Sequence, residues 1–258
     1  MNNIFDLRRF FMLFKKHTYE KGKEYLLSIL TITVILLVGL GYTAYSTLTG
    51  LAEDIQAVIF IITLLLSGII FTSMVFLDLS DKRKATTYLT LPASHVEKYL
   101  VNWLFSYLIF QIIFTAIFYI ATYLVISLGI NEVGVGNKVF NIFNTESKVY
   151  GVFYVYLIAH SIMFYGAIFF NKKHFIKTVF SLFLIGVSLT FLNKLVLSMM
   201  IVPKVYTMPP FTYLRFMEEQ KYYSIEIEPS EIFTYTLIAL IVGLLWISAF
   251  YRLKEKEV

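Results

Sequence analysis

IQAVIFIITLLLSGIIFTSMVFL, residues 55–77, runs directly into DLSDKRKATTYLTLPASHVEK, residues 78–98. The first piece carries no Asp, Glu, Lys or Arg, and it exceeds the roughly 20 apolar residues that a helix needs to cross a hydrocarbon core of about 30 Å. The second piece opens with two aspartates and three consecutive cations. That abrupt change from apolar to charged marks the end of a membrane span. Working outward, residues 25–45, 101–130, 152–170, 178–202 and 232–251 are runs of the same kind, and only Lys194 places a charge inside one. The chain is 58% hydrophobic and 15% charged, where a soluble domain is nearer 45–50% and 25%. The expected fold is therefore all-α and polytopic, with six transmembrane helices.

Six spans leave no room in 258 residues for a soluble domain of ordinary size. No G-x-x-x-x-G-K-[ST] phosphate loop occurs, so an ATP-driven role needs another chain. Cysteine is absent, which excludes disulfides and thiolate metal sites. The first apolar run starts near Tyr25 and lacks a small-residue cleavage site after it, so it reads as a retained span.

The formal charge of +5 is distributed by topology. Residues 1–24, 78–98, 171–177 and 252–258 hold sixteen Lys and Arg, whereas 46–54, 131–150 and 203–231 hold five. This asymmetry puts both termini and the 78–98 connection in the cytoplasm. Cations placed by topology argue against nucleic-acid binding.

Around Ile4, Leu7, Phe11 and Phe14 the apolar spacing is helical, with Arg8, Arg9, Lys15 and Lys16 between. Residues 1–24 are expected to hold an interfacial helix; the alternative is a basic tail that only orients the first span. Two external segments stand out, 131–150 and 203–231. The second contains Pro203, Pro209, Pro210 and Pro229, which oppose a continuous helix, and alternates polar and apolar over Tyr223–Glu228 as a short strand does.

In the connection, Asp78 and Asp81 precede the cations and complement a helix dipole. A helix of two turns over 82–90 is stopped before Pro92. Ser94 and Glu97 then form a capping box, in which the serine oxygen accepts the Glu97 N–H and the carboxylate reaches back to the Ser94 N–H. A short helix, a corner and a long helix entering the bilayer result.

This order of elements resembles the permease subunit of ABC-2-type transporters over nearly the whole chain, and DKRKATTYLTLPASHVEKYLVNWL is similar to the coupling region of that family. The resemblance implies a cytoplasmic coupling helix between helices 2 and 3 that docks into a separate ATP-binding subunit. Lys82, Arg83, Lys84, Tyr88 and Leu89 would form the docking face, and Pro92, Ser94 and Glu97 the corner. ATP and Mg would be bound by that partner and no cofactor by this chain. A second permease chain, identical or not, would complete the transporter in a bacterial cytoplasmic membrane, in contact with lipid. The resemblance implies short helices before the last span, whereas the alternation over Tyr223–Glu228 points to a strand there. Taken alone, the three cations are ordinary topogenic charges.

No H-E-x-x-H, G-x-S-x-G or paired intramembrane aspartates occur, so neither catalytic nor metal-ligating residues are assigned. Within the spans, Lys194, His160 and Gln111 are the candidates for substrate contact. Each has a plainer reading: snorkelling of Lys194 to the interface, and helix–helix hydrogen bonding for His160 and Gln111, as for Asn102 and Asn193. Uniformly apolar spans favour an amphipathic cargo over a small ion. The competing reading is a non-transporting scaffold or sensor that binds a partner through the external segments.

Overall fold

The computed structural model describes residues 5–47, 50–129, 138–144, 148–200, 214–218, 221–225 and 231–256. Within these lie six helices long and apolar enough to cross a membrane. They are α1 (Leu7–Ser46), α2 (Glu53–Met74), the continuous pair α4 (His95–Leu104) and α5 (Phe110–Ser127), α6 (Val152–Phe169), α7 (His174–Met200) and α8 (Glu231–Glu255). The short helix α3 (Lys82–Leu89) fills the connection, and a π-helical turn at Phe105–Ile109 joins α4 to α5. The chain is a polytopic helical membrane protein.

The basic N-terminal stretch is helical and continuous with the first span, forming the first turns of α1, which is 40 residues long. At 1.5 Å per residue that is about 60 Å, twice the hydrocarbon thickness. Nothing interrupts it, because residues 7–46 contain no proline. Asp6 starts it as N-cap, accepting from the N–H of Arg8 at 2.8 Å and of Arg9 at 3.1 Å. Phe14, expected at lipid, packs with Phe10 against Val101 and Phe105, while Leu7 and Phe11 stay exposed.

The largest apolar cluster binds α1, α2, α5 and α6 through Leu36, Leu40, Phe60, Leu64, Phe114, Phe118 and Tyr156. Lipid tails are as apolar as these side chains, so close van der Waals packing holds the helices together. Gly68 shows the requirement, since a Cβ there would overlap the Tyr156 ring; Gly166 stands in the same relation to Thr178. Thr31, Thr33 and Thr72 satisfy their hydroxyls within their own helices, each donating to the carbonyl four residues earlier.

At the end of the bundle away from α3, Phe140 and Ile142 are buried in the same cluster. Gln56, with no exposed surface, holds them: it donates to the carbonyls of Leu51 and Lys138 at 2.8 Å and accepts from the Phe140 N–H at 2.9 Å. The 131–150 segment thus caps the bundle through residues 138–144. In the 203–231 segment, β1 (Leu214–Glu218) and β2 (Lys221–Ile225) pair antiparallel, with Leu214 opposite Ile225 and Glu218 opposite Lys221. The alternation read at Tyr223–Glu228 overlaps β2, while the four prolines lie outside the described residues.

Candidate functional site

The connection between α2 and α4 is built by a sequence of caps. A 3-10 turn, Leu77–Ser80, follows α2. Asp81 then caps α3, its carboxylate accepting from the Arg83 N–H at 2.9 Å. The helix ends at Thr90, and the Ala93 N–H donates to the Leu91 carbonyl at 2.7 Å, turning the chain at Pro92. Both halves of the expected capping box form: the Glu97 N–H donates to Ser94 Oγ at 3.2 Å, and the Ser94 N–H donates to Glu97 Oε2 at 2.8 Å.

Glu97 does more than cap. Its other oxygen, Oε1, accepts from the Asp6 N–H at 2.8 Å and from Arg9 Nη2 at 3.1 Å. One carboxylate with no exposed surface therefore ties the corner to the start of α1. Burial pushes Glu97 up, but the N–H groups of Asp6 and Ser94 and the Arg9 guanidinium outweigh it and hold the carboxyl below 4.5.

Lys98, 2% exposed, turns back across the corner. Its Nζ donates to the Leu89 carbonyl at 2.8 Å, placing a cation at the C-terminal end of the α3 dipole. The same Nζ lies 5.8 Å from the Tyr88 ring centroid. Asn102 Nδ2 donates to Tyr88 Oη at 2.7 Å. Burial raises the Tyr88 phenol pKa, against the Asn102 hydrogen bond. Ala85, Tyr88 and Leu89 pack against the cluster of Phe76, Leu79 and Tyr99, so α3 is seated on the bundle along one stripe.

This divides the expected docking face. Arg83 and Lys84 are exposed with Thr86, Thr87 and Thr90, whereas Tyr88 and Leu89 face inward. Lys82 begins α3, and its side chain lies outside the described residues. The spacing of Ala85, Tyr88 and Leu89, i, i+3 and i+4, carried the signal for an inward stripe. Pro92 is exposed at the apex of the corner. Asp78, which sequence reasoning treated only as a dipole partner, pairs with Lys21 of α1 at 3.0 Å and lies 3.8 Å from Lys84. Lys21 is consequently raised: burial lowers it, and Asp78 with Glu24 more than reverses that.

The intramembrane candidates are dispersed. His160 is fully buried on α6, its Nε2 2.9 Å from Ser106 Oγ in the π turn, and the Ser106 carbonyl accepts from Tyr156 Oη at 2.9 Å. Gln111 lies one turn along, interacting with Tyr107. Lys194 is elsewhere, exposed on α7 beside Gly186, Thr190 and Ser198. Among the described residues no three His, Asp or Glu side chains gather where one metal ion could be held.

Fold and site together define a multi-pass helical membrane protein with a rigid helix–corner–helix connection at one end. Compared with protein-family models, curated proteins and solved structures, the chain matches none of them.

Proposed function

We propose that this chain is the membrane-spanning permease subunit of an ATP-driven transporter of the ABC-2 type, working with a separate ATP-binding subunit and a second permease chain. The observation that carries this reading is the seating of α3. It is fixed to α4 by Lys98 and Asn102 and, through Glu97, to α1. A load applied to the exposed face of α3 passes into the third span without being absorbed by a loop. ATP hydrolysis, with Mg, occurs in the partner. Here Arg83 and Lys84 meet the partner, Tyr88 and Leu89 support them from behind, and Pro92, Ser94 and Glu97 fix the lever angle.

The Lys and Arg asymmetry supports a cytoplasmic α3 and cytoplasmic termini, and on this reading the membrane is a bacterial inner membrane. The second permease chain is supported by α7, which carries Lys194 and buries only His174 and Thr178. A cation within a span calls for a protein or water neighbour rather than lipid. The apolar spans suit an amphipathic cargo.

The test is co-purification of the tagged chain from its own host. An ATP-binding subunit is expected with it, and Arg83→Glu combined with Lys84→Glu reduces its recovery at least about tenfold, with the melting temperature of the permease unchanged. If no ATPase is recovered, or charge reversal leaves recovery intact, the transporter reading is overturned in favour of a scaffold.

A further inference from the structure

A cavity of about 1270 Å³ opens beneath α3, between α1, the end of α2, the 171–172 turn and the end of α8. Its walls are of two kinds. Leu27, Met74 and Leu77 form an apolar side where the first two spans meet the interface, and Arg83, Lys84, Lys172 and Lys256 form a basic side.

The acidic residues lining the cavity are already engaged. Glu24 pairs with Lys21 at 3.2 Å, Asp78 pairs with Lys21 at 3.0 Å, and Asp81 caps α3. Among the described residues this leaves Arg83 and Lys172 without an anionic partner, and Lys256 with only the neutral Asn171 Oδ1 at 3.1 Å. Burial, then Arg252, lowers the Lys256 pKa; burial, then Lys256, lowers that of neighbouring His174. Five cations, Lys21, Arg83, Lys84, Lys172 and Lys256, outnumber the three carboxylates Glu24, Asp78 and Asp81 along the cavity, which leaves its lining net positive.

From this juxtaposition we propose that the cavity seats an anionic membrane phospholipid, its phosphate between Lys172 and Lys256 and its acyl chains along Leu27, Met74 and Leu77. Charge selects the headgroup, and the apolar wall selects a lipid over a free phosphate ion. Basic residues at the end of a membrane span are each attracted to anionic headgroups, and the enclosing cavity converts that attraction into a site. The inference does not depend on the transporter reading, because any polytopic chain with this cavity would hold the lipid.

Native mass spectrometry of the full chain in detergent, titrated with phosphatidylglycerol or with phosphatidylcholine of identical acyl chains, tests it. Wild type is expected to prefer phosphatidylglycerol. Lys172→Gln with Lys256→Gln should weaken that preference at least about fivefold, while Lys15→Gln with Lys254→Gln, an equal charge loss outside the cavity, should not. An equal loss in the two double variants overturns the site in favour of general surface charge. Equal binding of the two lipids overturns the headgroup assignment, and displacement of phosphatidylglycerol by millimolar inorganic phosphate overturns the lipid in favour of a free anion.

Discussion

His17 lies on α1 between charged neighbours and an aromatic wall. Its Nε2 meets Tyr25 Oη, and its ring centroid is 4.6 Å from that of Phe105. Burial, then Lys21, lowers its pKa from 6.5 to about 4, with Asp78 pulling weakly the other way. The folded chain therefore holds this imidazole neutral where the unfolded chain would protonate it. The stability it contributes is complete above pH 6.5 and is lost as pH falls towards 4. The shift corresponds to roughly 3 kcal/mol at most. Thermal melts of the detergent-solubilised chain should show a falling midpoint over that window, and His17→Gln, which keeps a hydrogen-bonding group but does not titrate, should flatten the fall. An unchanged slope would place the pH sensitivity elsewhere, with His174, also lowered chiefly by burial, as the next group to replace.

At the scale of elements, one carboxylate ties the corner and α4 to the start of α1. Glu97→Ala removes the ion pair with Arg9 and the acceptor of the Ser94 and Asp6 N–H groups, at a cost of about 2–4 kcal/mol. Glu97→Gln keeps an acceptor and should cost less. Because Glu97 is the link between α4 and the start of α1, the first sign of damage should be early hydrogen exchange in residues 7–13, ahead of global unfolding; retained protection there in Glu97→Ala would sink this account. The capping box itself was legible, because Ser94 and Glu97 are three residues apart and the rule is local. The donors that Glu97 recruits lie about ninety residues away at Asp6 and Arg9, beyond the reach of any local pattern. Gln56 was missed for the same reason: its partners at Lys138 and Phe140 exist only once the chain has folded back. The inward turn of Tyr88 was legible in spacing but was overridden by reading α3 as a surface.

For the whole molecule, an even number of spans returns α8 to the end where α1 starts. The contact of Lys256 with Asn171 and the pairing of Lys21 with Asp78 confirm that these segments share one end of the bundle. The spans were plain in the sequence because charge is nearly absent from them. The run of α1 past the membrane was not, since hydropathy reports where lipid ends and not where a helix does. The arrangement predicts two classes of surface position. With no native cysteine, single substitutions at exposed sites give an unambiguous label: Thr87→Cys on α3 and Lys172→Cys at the α6–α7 turn on one side, Phe143→Cys in the capping segment on the other. In intact cells a membrane-impermeant maleimide should modify Phe143→Cys alone, and all three once the membrane is opened. Labelling of Thr87→Cys in intact cells would invert the topology and remove α3 from the reach of any cytoplasmic ATPase. Opposite outcomes for Thr87 and Lys172 would instead break the six-span count, because the two positions are separated by an even number of crossings.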